Sequence, residues 1–136
     1  MLIMNRHEQR KKIFQIIFQV DHGLVGVEET AFHHLYRDYD YIRQIVDYFL
    51  ENSEAVDGGI SDHLTSYTLE RIPKVERNIL RTAISELLHG DSPQRVVINE
   101  AILLTKLYGE KDGYRFVNGV LKNFITETDE QSNGEH

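Results

Sequence analysis

His7, Lys11, Phe14 and Phe18 stand at i, i+4, i+7 and i+11, with Arg6 and Arg10 beside them, so cations and rings share one stripe of a helix. That pairing suits single-stranded RNA. Cations hold phosphates, and ring faces accept unpaired bases at roughly 1–3 kcal/mol per stack. The same residues allow a plainer reading, in which Phe14 and Phe18 fill a wide core and the basic groups only solubilise the helix. Periodicity leaves both open. Ile13, Ile16, Ile17 and Val20 form the neighbouring stripe, which reads as ordinary core packing.

Other chemistry finds little support. The chain has no Walker-type GxxxxGK[ST], no GxSxG, no HExxH and no Cys nucleophile. Acids are plentiful in 21–70, but nothing sets two of them in an apolar pocket as a glycosidase-type acid and base require. His33 and His34, with Asp38 and Asp40 nearby, fail as a metal site because adjacent histidines point about 100° apart on a helix. The expectation is a binding protein, not an enzyme, with no metal and no cofactor. Arg81, Asn99 and Glu100 interrupt apolar patterns, where ion pairing and capping between helix ends account for them.

The positioning elements are helical. A chain of 136 residues suits one domain with one core. With no Cys, no apolar run of the roughly 20 residues that span a bilayer and no signal-peptide pattern, a soluble cytoplasmic protein is expected. The net charge of −7 is unevenly spread. Residues 1–20 hold four basic groups and one acid, 21–70 two and eleven, and 71–122 nine and six, while the tail from 123 has four acids and no Lys or Arg. Positive charge therefore gathers in the first helix and the C-terminal half, and local clusters set surface fields.

Apolar spacing of three and four predicts seven helices and no strand. The first runs from an Asn5 cap to about Val20, ended by Asp21-His22-Gly23; the second from Glu28 to about Arg37; the third from Tyr39 to about Asn52, with Ile42, Ile45, Val46 and Phe49 inward. The fourth, weakened by Gly58-Gly59, runs from about Ser53 or Asp57 to Tyr67. Pro73, in a first-turn position, opens the fifth, which Gly90 ends. The sixth begins near Pro93 or Gln94 and stops at Gly109. The seventh starts after Asp112 or Gly113 and buries Phe116, Val117, Val120, Leu121, Phe124 and Ile125. Gly119, inside that helix, costs roughly 1 kcal/mol against Ala, which points to a close backbone approach or packing constraint. The domain is expected over 1–127, with 128–136 an acidic, disordered tail.

VERNILRTAISELL at 75–88, INEAILLTKLYG at 98–109 and FVNGVL at 116–121, in this order and spacing, resemble the C-terminal half of the NusB transcription antitermination factors. RHEQRKKIFQIIFQVD at 6–21 extends the resemblance to the other end, leaving mainly 22–70 weakly matched. It implies an all-α, single-domain, seven-helix NusB-like bundle. It also implies binding to box A single-stranded RNA with a small-subunit ribosomal protein, called NusE in transcription, in support of ribosomal-RNA transcription by the RNA polymerase antitermination complex. The alternative is a NusB-fold protein-interaction module without RNA binding. By resemblance, RNA would meet Arg6, His7, Arg10, Lys11, Phe14 and Phe18 on the first helix. His7 and Glu8 stand where many relatives have Arg or Lys, and Lys11 and Lys12 partly compensate. The RNA surface would extend to the turn before the seventh helix, through Tyr108, Lys111, Asp112 and Arg115. Relatives often carry Ser at the position of Gly113, so Asp112 is expected to cap the helix instead. Glu76 and Arg77 would meet the ribosomal protein.

Overall fold

A computed structural model describes residues 3–21, 26–64 and 68–134, with side chains to 126. Among them are seven α-helices and no strand: α1 (Arg6–Asp21), α2 (His33–Asp38), α3 (Asp40–Glu51), α4 (Ser53–Ser61), α5 (Lys74–His89), α6 (Gln94–Tyr108) and α7 (Gly113–Gly134). Short 3-10 turns at Val27–Glu29 and Leu69–Arg71 precede α2 and α5.

Local chemistry sets the boundaries. Asn5 caps α1 as expected, its Oδ1 accepting the Glu8 N–H at 2.8 Å. The helix expected from Glu28 breaks in two. Thr30 Oγ1 donates to the Val27 carbonyl at 2.7 Å while Thr30 itself is extended, so its hydroxyl closes a turn and helix resumes at His33. α4 ends at Ser61, earlier than expected; Tyr67, its expected last residue, and His22-Gly23, the expected end of α1, lie outside the described residues. Pro73 stands just before α5 rather than in its first turn: its extended carbonyl accepts the Arg77 N–H at 2.9 Å. Gly90 ends α5 at φ 90, a left-handed position that glycine takes without a Cβ penalty. α7 continues to Gly134, beyond the stop expected near Thr128. The constraint expected at Gly119 is absent, since a Cβ there would meet nothing within 4 Å.

α5 is the hub. It packs against α1, α3, α4, α6 and α7, and it buries an unbroken run from Asn78 to Glu86. Ile79, Leu80 and Ile84 meet Ile13, Ile16 and Ile17 of α1, Ile42 and Ile45 of α3, and Val117 and Leu121 of α7 in one core. A helix so deeply buried must also bury polar groups, and most are paired, while Ser85 Oγ and Glu76 Oε2 have no partner among the described residues. Arg81 donates to Asp57 of α4 at 2.8 and 3.0 Å and meets Asp21 at the end of α1 at 2.8 Å. Asp21 also accepts Arg77 at 3.0 Å and Asn78 at 2.9 Å. Desolvation alone raises the Asp21 pKa, but hydrogen bonds from Asn78 and Arg81 and the charges of Arg81 and Arg77 outweigh it and hold the carboxyl at about 2. The ion pairing expected of Arg81 is therefore present, three helices deep.

Candidate nucleic-acid interface

The basic flank of α1 is only partly a surface. Arg10 is 3 % exposed, so it corrects the expectation of a solvent-facing cation. Its Nε donates to Glu86 Oε1 at 2.8 Å and its Nη2 to Ser92 Oγ at 3.1 Å. Tyr41 donates to the same Glu86 oxygen and lies 3.0 Å from Ser92 Oγ. Burial pushes the Glu86 pKa up although Tyr41 and Arg10 oppose it, and burial together with Glu86 raises that of Tyr41. No local pattern could have revealed this pair, because its partner lies on another helix far along the chain. Arg6 is exposed, with its guanidinium 3.5 Å above the Tyr41 ring. His7 pairs with Glu100 of α6. Lys11 is half-buried.

The rings do converge. Phe14 is buried, 5.9 Å from the Phe18 ring and 5.6 Å from that of Tyr108, so the plainer reading fits Phe14, and Phe18 packs partly buried against the same core. Phe18 is half-buried and Tyr108 exposed. Together with Phe32 and Val75 they line a groove of about 310 Å³. The groove adjoins a depression of about 280 Å³ that shares Phe18, Val75 and Tyr108 and adds Lys74, Gly109 and Glu110. Tyr108 thus brings the α1 flank beside the turn that precedes α7.

That turn rests on Glu76. This residue is 2 % exposed, and its Oε1 accepts the Glu110 N–H at 2.8 Å. A Cβ at Gly109 would stand 2.3 Å from that oxygen, and one at Gly113 2.7 Å. The two glycines therefore make room for a buried carboxylate under the turn. Glu76, expected on a partner-facing surface, is instead a strut, and Arg77, tied to Asp21 and the Glu70 carbonyl, is largely engaged within the chain. The signal was available in the sequence: an acid inside an apolar helix and glycines bracketing a polar turn. Lys111, Asp112 and Arg115 are exposed, and Arg115 Nε lies 3.3 Å from Tyr114 Oη. Asp112 adopts φ 66, and its carbonyl accepts the Arg115 N–H. Among the described residues its side chain makes no capping bond to α7; the carboxylate against Gly113 is that of Glu76.

Among the described residues no group of His, Asp and Glu is placed to hold a metal ion, and no helix is long and apolar enough to cross a membrane. Residues 7–126 match the model of the NusB family. The transcription antitermination protein NusB of Lysinibacillus sphaericus is 42 % identical over 123 residues, 89 % of this chain and 97 % of that protein. The structure of T. maritima NusB superposes with a TM-score of 0.83 at 32 % identity, covering 93 % of this chain and 94 % of its own. A chain from a crystal structure of antitermination factors NusB and NusE in complex with dsRNA gives 0.78 at 27 % identity, covering 91 % and 99 %. Sequence, helix order and three-dimensional superposition agree, and the chain belongs to the NusB family of transcription antitermination proteins, which are not enzymes.

Proposed function

We propose that this chain binds box A-type single-stranded RNA jointly with the ribosomal protein NusE and so equips the RNA polymerase antitermination complex for ribosomal-RNA transcription. The observation that carries the reading is the adjoining of the ring-lined groove and the α6–α7 turn through Tyr108. The apolar groove, with Phe14 sealed at its base, suits a protein side chain better than a phosphate. The exposed cations Arg6, Lys111 and Arg115, with Lys11 and His7, suit the RNA backbone. Tyr108 and Phe18 stand between the two and can serve either. Arg10 acts indirectly, by fixing α1. With few free cations, RNA binding is weak alone and stronger with the partner, which adds contacts and lowers the ordering cost.

A second reading, a protein-interaction module without RNA affinity, is favoured by the burial of Arg10 and the pairing of His7. Titration of a fluorescent box A oligonucleotide at several salt concentrations, with and without NusE, separates the two. Engagement of about four to six phosphates gives a log–log slope of roughly −3 to −4 with the partner present. A flat or absent response under both conditions establishes the second reading.

A further inference from the structure

A separate groove of about 420 Å³ lies between α6 and α7. Ile98 and Ile102 of α6 and Ile125 of α7 line it, Arg95 and Lys122 stand one on each helix, and no carboxylate is among its described lining residues. Arg95 and Lys122 are exposed, and neither forms an ion pair among the described residues. Asn118 also lines the groove, and its Oδ1 is buried without a hydrogen-bond partner. One turn before Lys122 comes Gly119, exposed, with open space where a side chain would stand. A glycine inside a helix weakens it, and nothing among the described residues crowds this one. Its bareness leaves the lip of α7 free for an external backbone to pass.

The chemistry of the lining selects the occupant. Isoleucines accept an aliphatic side chain, the two unpaired cations accept carboxylates, and the Asn118 acceptor calls for an N–H donor such as a peptide backbone. Among the described residues no aromatic ring lines the groove to stack a base, which disfavours RNA. We propose that this groove docks an acidic, extended peptide segment of another protein, with an aliphatic side chain on the isoleucines and flanking carboxylates on Arg95 and Lys122. The complementarity of charge carries the assignment: a trough whose described lining is apolar and basic fits an acidic, apolar strand.

The test is an amide-resolved NMR titration of the full-length, isotope-labelled chain. The probe is a short synthetic peptide in which glutamates alternate with leucines; a lysine–leucine peptide and an oligouridylate serve as comparisons. The acidic peptide is expected to shift the amides of Ile98, Asn118, Gly119 and Lys122, and the lysine peptide to leave them in place. The double variant Arg95→Glu/Lys122→Glu, changed only at exposed positions, should bind the acidic peptide roughly tenfold or more weakly. Gly119→Ala should raise Tm and yet weaken the peptide, a split that a purely structural role does not produce. Absent or scattered shifts, unchanged affinity in the double variant, or stronger shifts of the same amides by oligouridylate would each overturn the proposal.

Discussion

At the scale of single residues, Arg10 and Lys11 show how far composition misleads about a side chain's duty. They are adjacent, both basic, and occupy neighbouring angles on α1, yet Arg10 is sealed against Glu86 while Lys11 keeps partial access to water. Removing one member of a buried ion pair leaves the other charged and unpaired, so Arg10→Ala should destabilise by roughly 3–5 kcal/mol. Lys11→Ala should stay within about 0.5 kcal/mol. Urea unfolding measures both, and similar midpoints for the two variants would contradict the buried pair. The Arg10→Ala deficit should shrink as pH falls, because Glu86, already raised by burial, can then take up a proton. The site was legible where a residue's role is local, as for the Phe14–Phe18 step or the Asn5 cap. It was illegible where the role depends on a distant helix and leaves no local mark, as for Arg10, whose partner Glu86 lies on α5.

At the scale of elements, the turn between α6 and α7 owes its course to space reserved for Glu76. The three atoms nearest a Cβ at Gly113 all belong to that side chain, with the carboxylate oxygen at 2.7 Å. Gly113→Ala should therefore cost about 1–3 kcal/mol by overpacking. Glu76→Ala should cost a comparable amount by stripping the Glu110 N–H of its acceptor. The double variant should lose less than the sum of the two, with a coupling of at least about 0.5 kcal/mol in a thermal or urea double-mutant cycle. Strict additivity would mean that the carboxylate and the glycine are unrelated. Helix existence was readable from apolar spacing where one periodic face is buried, as in α3 and α6. What spacing could not supply was the competition at Thr30, whose hydroxyl splits the expected second helix, or the reason for Gly119, which lies outside the chain's own packing.

At the scale of the molecule, the ties among α1, α4 and α5 decide how the fold responds to acid. Asp21 titrates at about 2 in the folded chain against 3.8 ordinarily, so the unfolded chain binds its proton more readily. Its contribution, at most about 2 kcal/mol, is complete above pH 4 and drains away as pH falls toward 2. Asp21→Asn should lower stability at neutral pH by that order and flatten the acid limb of a pH–stability curve; an unaltered limb would show that the carboxylate's pairing does not matter. The position of α5 has a further consequence during synthesis. Residues 74–89 leave the ribosome only after α1 to α4 have emerged, so the first half of the nascent chain must wait with bare oily faces until its shared floor arrives.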